Sequence, residues 1–368
     1  RATGLPGEMH RELIKVKVLF EAGELERARE RATGLLERAQ ASTPVAVAEA
    51  RYLLGAIEQQ RAEFGAAEEH LRAAYFDALR LGRDEVAANA ALALTHLHSV
   101  GRVNFELADL WLETARGLTR GMPRDDARLR AKLAGAAAAL ETERGDYEAA
   151  EARMRESIEI LEEAYGAAHP DIGLMYGHMA ELFDDSGDFA AAEQAGRRGL
   201  ELLEQSLGSN HPDNSQAIFA LATAAWKQGR GEASLELSEQ ALALREAAFG
   251  PEHVSVAEAL NSVGNAYIQM GDWEGANRNH QRALEIRRKQ YGPDEPRVAT
   301  SLVNLADVAV HRGQVEEAIE YAKGSLRIWE SKLGVDHAYN AYAHIVIGEA
   351  ELRAQRWERA LAAFDRGL

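Results

Sequence analysis

The 368-residue chain contains no cysteine, which excludes disulfides, zinc-thiolate sites and cysteine nucleophiles and is compatible with a reducing cytosol. Proline is scarce at 8 residues and aromatics amount to only 7%, while Ala and Leu recur throughout, a balance that favours helices over sheets. Basic residues are outnumbered, 42 Lys and Arg against 59 Asp and Glu, for a formal charge of −17. A long-range field favouring phosphates is therefore absent, no local basic patch replaces it, and nucleic acid is not an expected partner. No stretch approaches the roughly 18 uninterrupted apolar residues that cross a bilayer, and the N-terminus has no signal-peptide apolar region. The expectation is a soluble, cytoplasmic chain with no membrane partner. With 46% hydrophobic residues it has apolar material for one large core or several stacked small ones. It begins at Arg1 and stops at Leu368 inside a helical pattern, and reads as a piece of a longer protein.

What the chain does have is a repeat. The pairs Gly145-Asp146, Gly187-Asp188, Gly229-Arg230, Gly271-Asp272 and Gly313-Gln314 follow one another at a constant 42 residues, and one further step lands on Gln355. A second marker, Gly166, Gly208, Gly250, Gly292 and Gly334, keeps the same step. Before the turn at Gly271 stand Leu260, Val263, Tyr267 and Met270, and after it Trp273, Ala276, Ala283 and Leu284, spacings of one helical face on each side. Seven residues before each turn glycine is a small residue, Ala138, Ala180, Ala222, Gly264 or Ala306, and five after it another, Ala150, Ala192, Ser234, Ala276 or Ala318. Small side chains let two antiparallel helices approach, and glycine permits the backbone that ends the first. The unit is a helical hairpin.

A small residue, an aromatic or apolar one three later, G-D-[YFW] and then two alanines, as in "VGNAYIQMGDWEGANRNHQRAL", resembles the tetratricopeptide pattern. The 42-residue period and the linkers "YGPDEPRVA", "FGPEHVSVA" and "AYGAAHPDIG" resemble the longer-helix variety found in kinesin light chains. Upstream, Ala22-Gly23-Glu24 with Ala28, Gln60-Arg61-Ala62 with Gly55 and Ala67, and Val100-Gly101-Arg102 continue the pattern at irregular spacing, with Ala108 displaced by about two extra residues in the third hairpin. The resemblance implies an all-α, right-handed superhelical solenoid of about nine antiparallel hairpins, irregular over 1–126 and regular over 127–368, the second part continuous with the first. The order of degenerate then regular hairpins, carried by "LIKVKVLFEAGELERARE" and "LRAAYFDALRLGRDEVAANAALALTHL", also resembles the region after the kinase domain of myxobacterial serine/threonine kinases.

The chemistry of catalysis is thin. There is no GxxxxGK[ST], HExxH, GxSxG or kinase catalytic loop, so no nucleotide, metal or hydrolase site is signalled. His96 and His98 with Asp109, or Asp184 with Asp185, can be imagined as acid-base pairs, but acidic residues near helix ends of such an array are expected to be solvated. His169, His211, His253 and His337 recur at equivalent places before helix starts, too far apart in a stack of repeats to share one ion, and are expected to be linker structure. In "HPD" at 169 to 171 and 211 to 213, Pro suits the first helical position and Asp171 and Asp213 the helix N-terminus. No cofactor and no metal are expected.

Stacked hairpins share one continuous core and line a groove with the first helix of each pair. In proteins of the type that the chain resembles, residues ten, six and three before the turn glycine face that groove. They are Gly177, Glu181 and Asp184; Phe219, Thr223 and Trp226; Asn261, Asn265 and Ile268; Val303, Asp307 and Val310; and Ile345, Glu349 and Leu352, with Asn304 beside the line. Asparagine costs roughly half a kcal/mol against Ala inside a helix. In the family, such asparagines hold the backbone of an extended peptide, donating to its C=O and accepting from its N–H; the alternative is that Asn261 and Asn265 are solvated or bond to a neighbouring hairpin. Phe219 and Trp226 are interface anchors or inter-helix packing. Glu181, Asp184, Asp307 and Glu349 make the flanks acidic and favour a ligand with Lys or Arg.

The expected function is a non-catalytic scaffold that binds a protein or peptide segment in its groove, as the sensing or recruitment region of a larger bacterial signalling protein. The alternatives are a spacer or self-association module, through an uncapped end at Phe364 and Leu368, and an enzyme whose catalytic domain lies outside these residues.

Overall fold

The computed structural model describes residues 7–39, 43–101, 104–120, 126–335 and 337–367; Arg102 and Leu368 lie outside them. Every regular element among the described residues is a helix. Two compact units divide the chain at Ala220 and Leu221. The first holds α1 (Gly7–Glu21) with α2 (Leu25–Ala39), α3 (Pro44–Gln60) with α4 (Phe64–Arg80), α5 (Asp84–His96) with α6 (Phe105–Arg120), α7 (Ala127–Glu143) with α8 (Tyr147–Tyr165), α9 (Pro170–Ser186) with α10 (Phe189–Leu207), and the start of α11 (Asn214–Lys227). The second holds the end of α11, α12 (Gly231–Phe249), α13 (Val254–Met270) with α14 (Trp273–Tyr291), α15 (Pro296–His311) with α16 (Val315–Leu333), and α17 (Ala338–Arg353) with α18 (Trp357–Gly367). A π-helical turn, Leu97–Gly101, ends α5, where the sequence places the irregular third hairpin.

The hairpin turns are made by backbone chemistry legible in the repeat. Gly145, Gly187, Gly229, Gly271 and Gly313 have φ between 74 and 84°, the left-handed region that glycine enters without steric cost. Where the pattern departs from glycine, Gln355 adopts φ 59° and Ala62 φ 56°, at a cost of about 1–2 kcal/mol each. The aspartate after the glycine caps the next helix: Asp146, Asp188 and Asp272 accept from the backbone N–H of Ala149, Ala191 and Gly275 at 3.1, 3.0 and 2.8 Å, satisfying donors that a helix start leaves unpaired.

The linker histidines do the same at the other end of the unit. His169, His211, His253 and His337 accept through Nδ1 from the backbone N–H two residues on, at 3.3, 3.3, 3.1 and 3.3 Å. At the equivalent place before α15, the Glu295 carboxylate takes the N–H of Arg297 at 2.7 Å. Pro170 opens α9 as expected, whereas α11 starts at Asn214, after Pro212.

Each small residue of the hairpin pattern is buried: Ala138, Ala180 and Ala306 on first helices, Ala150, Ala192, Ala276 and Ala318 on second helices. Three first helices carry glycine in that slot, and each faces a bulky side chain nine residues after the turn. A Cβ on Gly55 would meet Leu71 at 2.5 Å, on Gly264 the His280 ring at 2.6 Å and on Gly348 the Phe364 ring at 2.5 Å. Phe364 therefore packs within its own hairpin, where it is half-buried.

Candidate functional site

In the second unit, α13, α15 and α17 present the candidate groove residues. Asn304 donates through Nδ2 to Asn261 Oδ1 at 2.6 Å, a side-chain bond between first helices of successive hairpins and so, for Asn261, the bond to a neighbouring hairpin that was the alternative to peptide contact. One turn further along each helix stand Asn265 and Asp307, both half-buried. Asp307 faces His311 at 3.8 Å, and the His311 ring stacks on Trp273 with centroids 4.2 Å apart. Burial raises the Asp307 carboxyl above its usual range. Glu349 is raised by burial and then by the charge of Asp307. Tyr342 is pushed up to about 12, first by burial and then by Asp307 and Glu349. This part of the face thus concentrates negative charge beside an aromatic ring.

Trp226 is 40% exposed, and its backbone carbonyl accepts from Gln269 Nε2 at 2.7 Å. Thr223 is half-buried. Val303 and Val310, expected on the same stripe, are core residues, so the exposed line on α15 runs through Asn304 and Asp307.

In the first unit, α5 packs directly on α7, whereas α7 and α9 barely touch. Between them lies a cleft of about 700 Å³ lined by Lys132, Gly135, Glu143, Met175, Glu181 and Asp185 among others. Arg128 closes one mouth by a two-pronged bond to Asp171, at 2.7 and 3.3 Å. Glu181 lies in the cleft, held by Gln216 and by His178 at 3.3 Å. Asp184 does not: it is 3% exposed, and Asp185 takes its place at the cleft. On α9 the lining residues His178, Glu181 and Asp185 follow a stripe rotated by one residue from the one expected through Gly177 and Asp184. Phe219, also in this unit, is half-buried.

The imagined acid-base pairs are not assembled. Asp109 is bound to Arg144 at 2.6 Å, and His98 is buried near Glu68 at 3.8 Å. His96 instead lines the cleft, its pKa lowered by burial.

Residues that the sequence reading passed over include Lys132, Glu143, His311 and Tyr342. The signal for the cleft is in the repeat: at the position ten before the turn, Phe219, Asn261, Val303 and Ile345 occupy later hairpins, but Gly135 lines the cleft.

The tetratricopeptide repeat family model matches residues 129–205, 213–289, 255–323 and 297–368, more than half of the chain. Comparison with the curated proteins finds no match. Among solved structures, BtubC (BKLC) from P. vanneervenii is 24% identical with a TM-score of 0.51, over 61% of this chain and 89% of that one. A Podosopora anserina putative kinesin light chain with nearly identical TPR-like repeats is 21% identical, TM-score 0.46, over 56% and 96%. A Rap protein complexed with Competence and Sporulation Factor is 12% identical, TM-score 0.56, over 98% and 96%.

Proposed function

Because the chain belongs to the tetratricopeptide repeat family, we propose that it is a non-catalytic scaffold whose second unit holds an extended protein segment against α13 and α15, in the cytoplasm, as the recruitment or sensing region of a larger bacterial signalling protein. The observation that carries this reading is the Asn304 to Asn261 bond. It uses one donor and one acceptor, leaving the Asn261 amide N–H groups and a carbonyl lone-pair set on Asn304. Extended backbone needs that combination, a donor for its C=O and an acceptor for its N–H. Asn265 adds a third amide on the same face, and Trp226 an aromatic anchor. The raised carboxyls of Asp307 and Glu349 favour a segment with Lys or Arg, whose cation would stabilise their ionised form. A fold of this kind accommodates a partner in the Rap protein solved with Competence and Sporulation Factor.

The combined variant Asn261→Ala, Asn265→Ala and Trp226→Ala should keep the helical circular dichroism of the parent and lose at least tenfold in affinity for partners captured from native extract. Undiminished capture by the folded variant would remove the groove reading.

A self-association reading draws on α18, where Trp357 is 62% and Leu361 64% exposed, whereas Ile319, at the place equivalent to Leu361 one hairpin earlier, is 7% exposed. Under it, light scattering over a concentration series shows dimers that Leu361→Glu disperses; a monomer at every concentration discards it.

A further inference from the structure

The cleft of the first unit has a composition that repeat architecture does not require. Lys132 makes no ion pair among the described residues, and neither does Glu143, while the neighbouring cation Arg128 is neutralised by Asp171. Glu143 is the last residue of α7 and Asp185 lies in the last turn of α9, and no basic residue sits in either last turn. The C-terminal ends of two helix dipoles add to their negative potential, and the charge of Asp185, after burial, raises the Glu143 carboxyl. One end of the cleft thus attracts a cation. The other end offers the ammonium of Lys132.

Lys132 and Glu143 are eleven residues apart on α7, about 16 Å at the helical rise. An extended chain covers that distance in about five residues. Between them the floor is apolar, with Ala131, Met154, Leu161, Leu174 and Met175. The volume is open beside Gly135, which lines the cleft; a Cβ there would meet nothing within 4 Å.

From this arrangement we infer that the cleft between α7 and α9 binds a dipolar protein segment. A Lys or Arg sits at Glu143, an Asp or Glu five residues away sits at Lys132, and apolar side chains between them lie on the floor. This site is separate from the Asn261 face and takes a ligand defined by paired opposite charges.

The test uses the whole chain and three pools of acetylated, amidated hexapeptides with Ala, Leu, Met or Val at the four inner positions. The pools carry Lys first and Glu last, Lys at both ends, or Glu at both ends; the blocked termini keep chain ends from supplying the charges. Affinity selection read by mass spectrometry should retain the Lys-Glu pool at least tenfold over the others. Gly135→Phe, which introduces the side chain that Phe219 carries in a later hairpin, should abolish retention with helicity intact. Glu143→Lys should turn the preference to the Glu-Glu pool, and Lys132→Glu to the Lys-Lys pool. The variant Asn261→Ala, Asn265→Ala and Trp226→Ala should retain the Lys-Glu pool like the parent, so loss of the groove reading and loss of this one are told apart. The inference is overturned if the parent retains none of the pools, if Gly135→Phe retains them equally, or if charge reversal leaves the preference where it was.

Discussion

Gly264→Ala is expected to lower the stability of the second unit by about 2–3 kcal/mol, the upper range for an overpacked core, and Gly264→Ala combined with His280→Ala to recover most of the loss. The added methyl would stand 2.6 Å from two atoms of the His280 ring and 2.9 Å from a third, and the ring is completely buried, with no open side to retreat to. Interiors are close-packed and transmit such strain to the backbone, here by forcing α13 away from α14. The double variant recreates a pairing that another hairpin already uses, since Ala306 stands opposite Ala322 at the same places of the repeat. Ala222 opposite Ser238 and Ala180 opposite Gly196 are further solutions to the same volume. Urea unfolding followed by circular dichroism gives the cycle directly. A double variant as unstable as the sum of its two single changes would mean that the clash is not the cause.

The pairing also shows where the sequence was readable. Periodicity of 42 residues gave the hairpins, their turns and the buried small positions, because each of these is imposed by helix geometry and repeats with the backbone. Gly264 was legible as small, but not as a glycine that His280 requires. That dependence joins positions sixteen residues apart on two helices, and only the column Met154, Gly196, Ser238, His280 and Ala322 reveals it. The candidate site behaves likewise. Asn261 and Asn265 stood out because the repeat does not need them, Asn304 lay beside their line, and Asp307 and Glu181 were marked by their charge. Asp184 could not be told from Asp185, since neighbouring residues on a helix differ by about 100° and a small rotation of α9 decides which one is buried. The bond from Asn304 to Asn261, and the gap between α7 and α9, depend on how successive hairpins are spaced, which no single hairpin encodes.

His280 should also make the second unit acid-sensitive. Neither of its ring nitrogens has a hydrogen-bond partner among the described residues, so burial and then the charge of Arg287 hold its pKa down, from 6.5 to about 4. In the unfolded chain the imidazole takes a proton near pH 6.5; in the fold it stays neutral until near pH 4. Between those values the unfolded state binds more protons, and stability falls as pH falls. The full difference corresponds to roughly 3 kcal/mol. The buried carboxyls of Glu295 and Asp307, whose pKa values burial raises, work in the opposite sense and partly mask it in the parent. A comparison with His280→Ser, the residue found at the equivalent Ser238, cancels them. Between pH 7 and pH 4.5 the parent should lose about 2 kcal/mol more than the variant in urea unfolding, and the two should respond alike above pH 7. Equal losses on acidification would show that the His280 ring is solvated enough to protonate in place, and that Gly264 has another reason to be glycine.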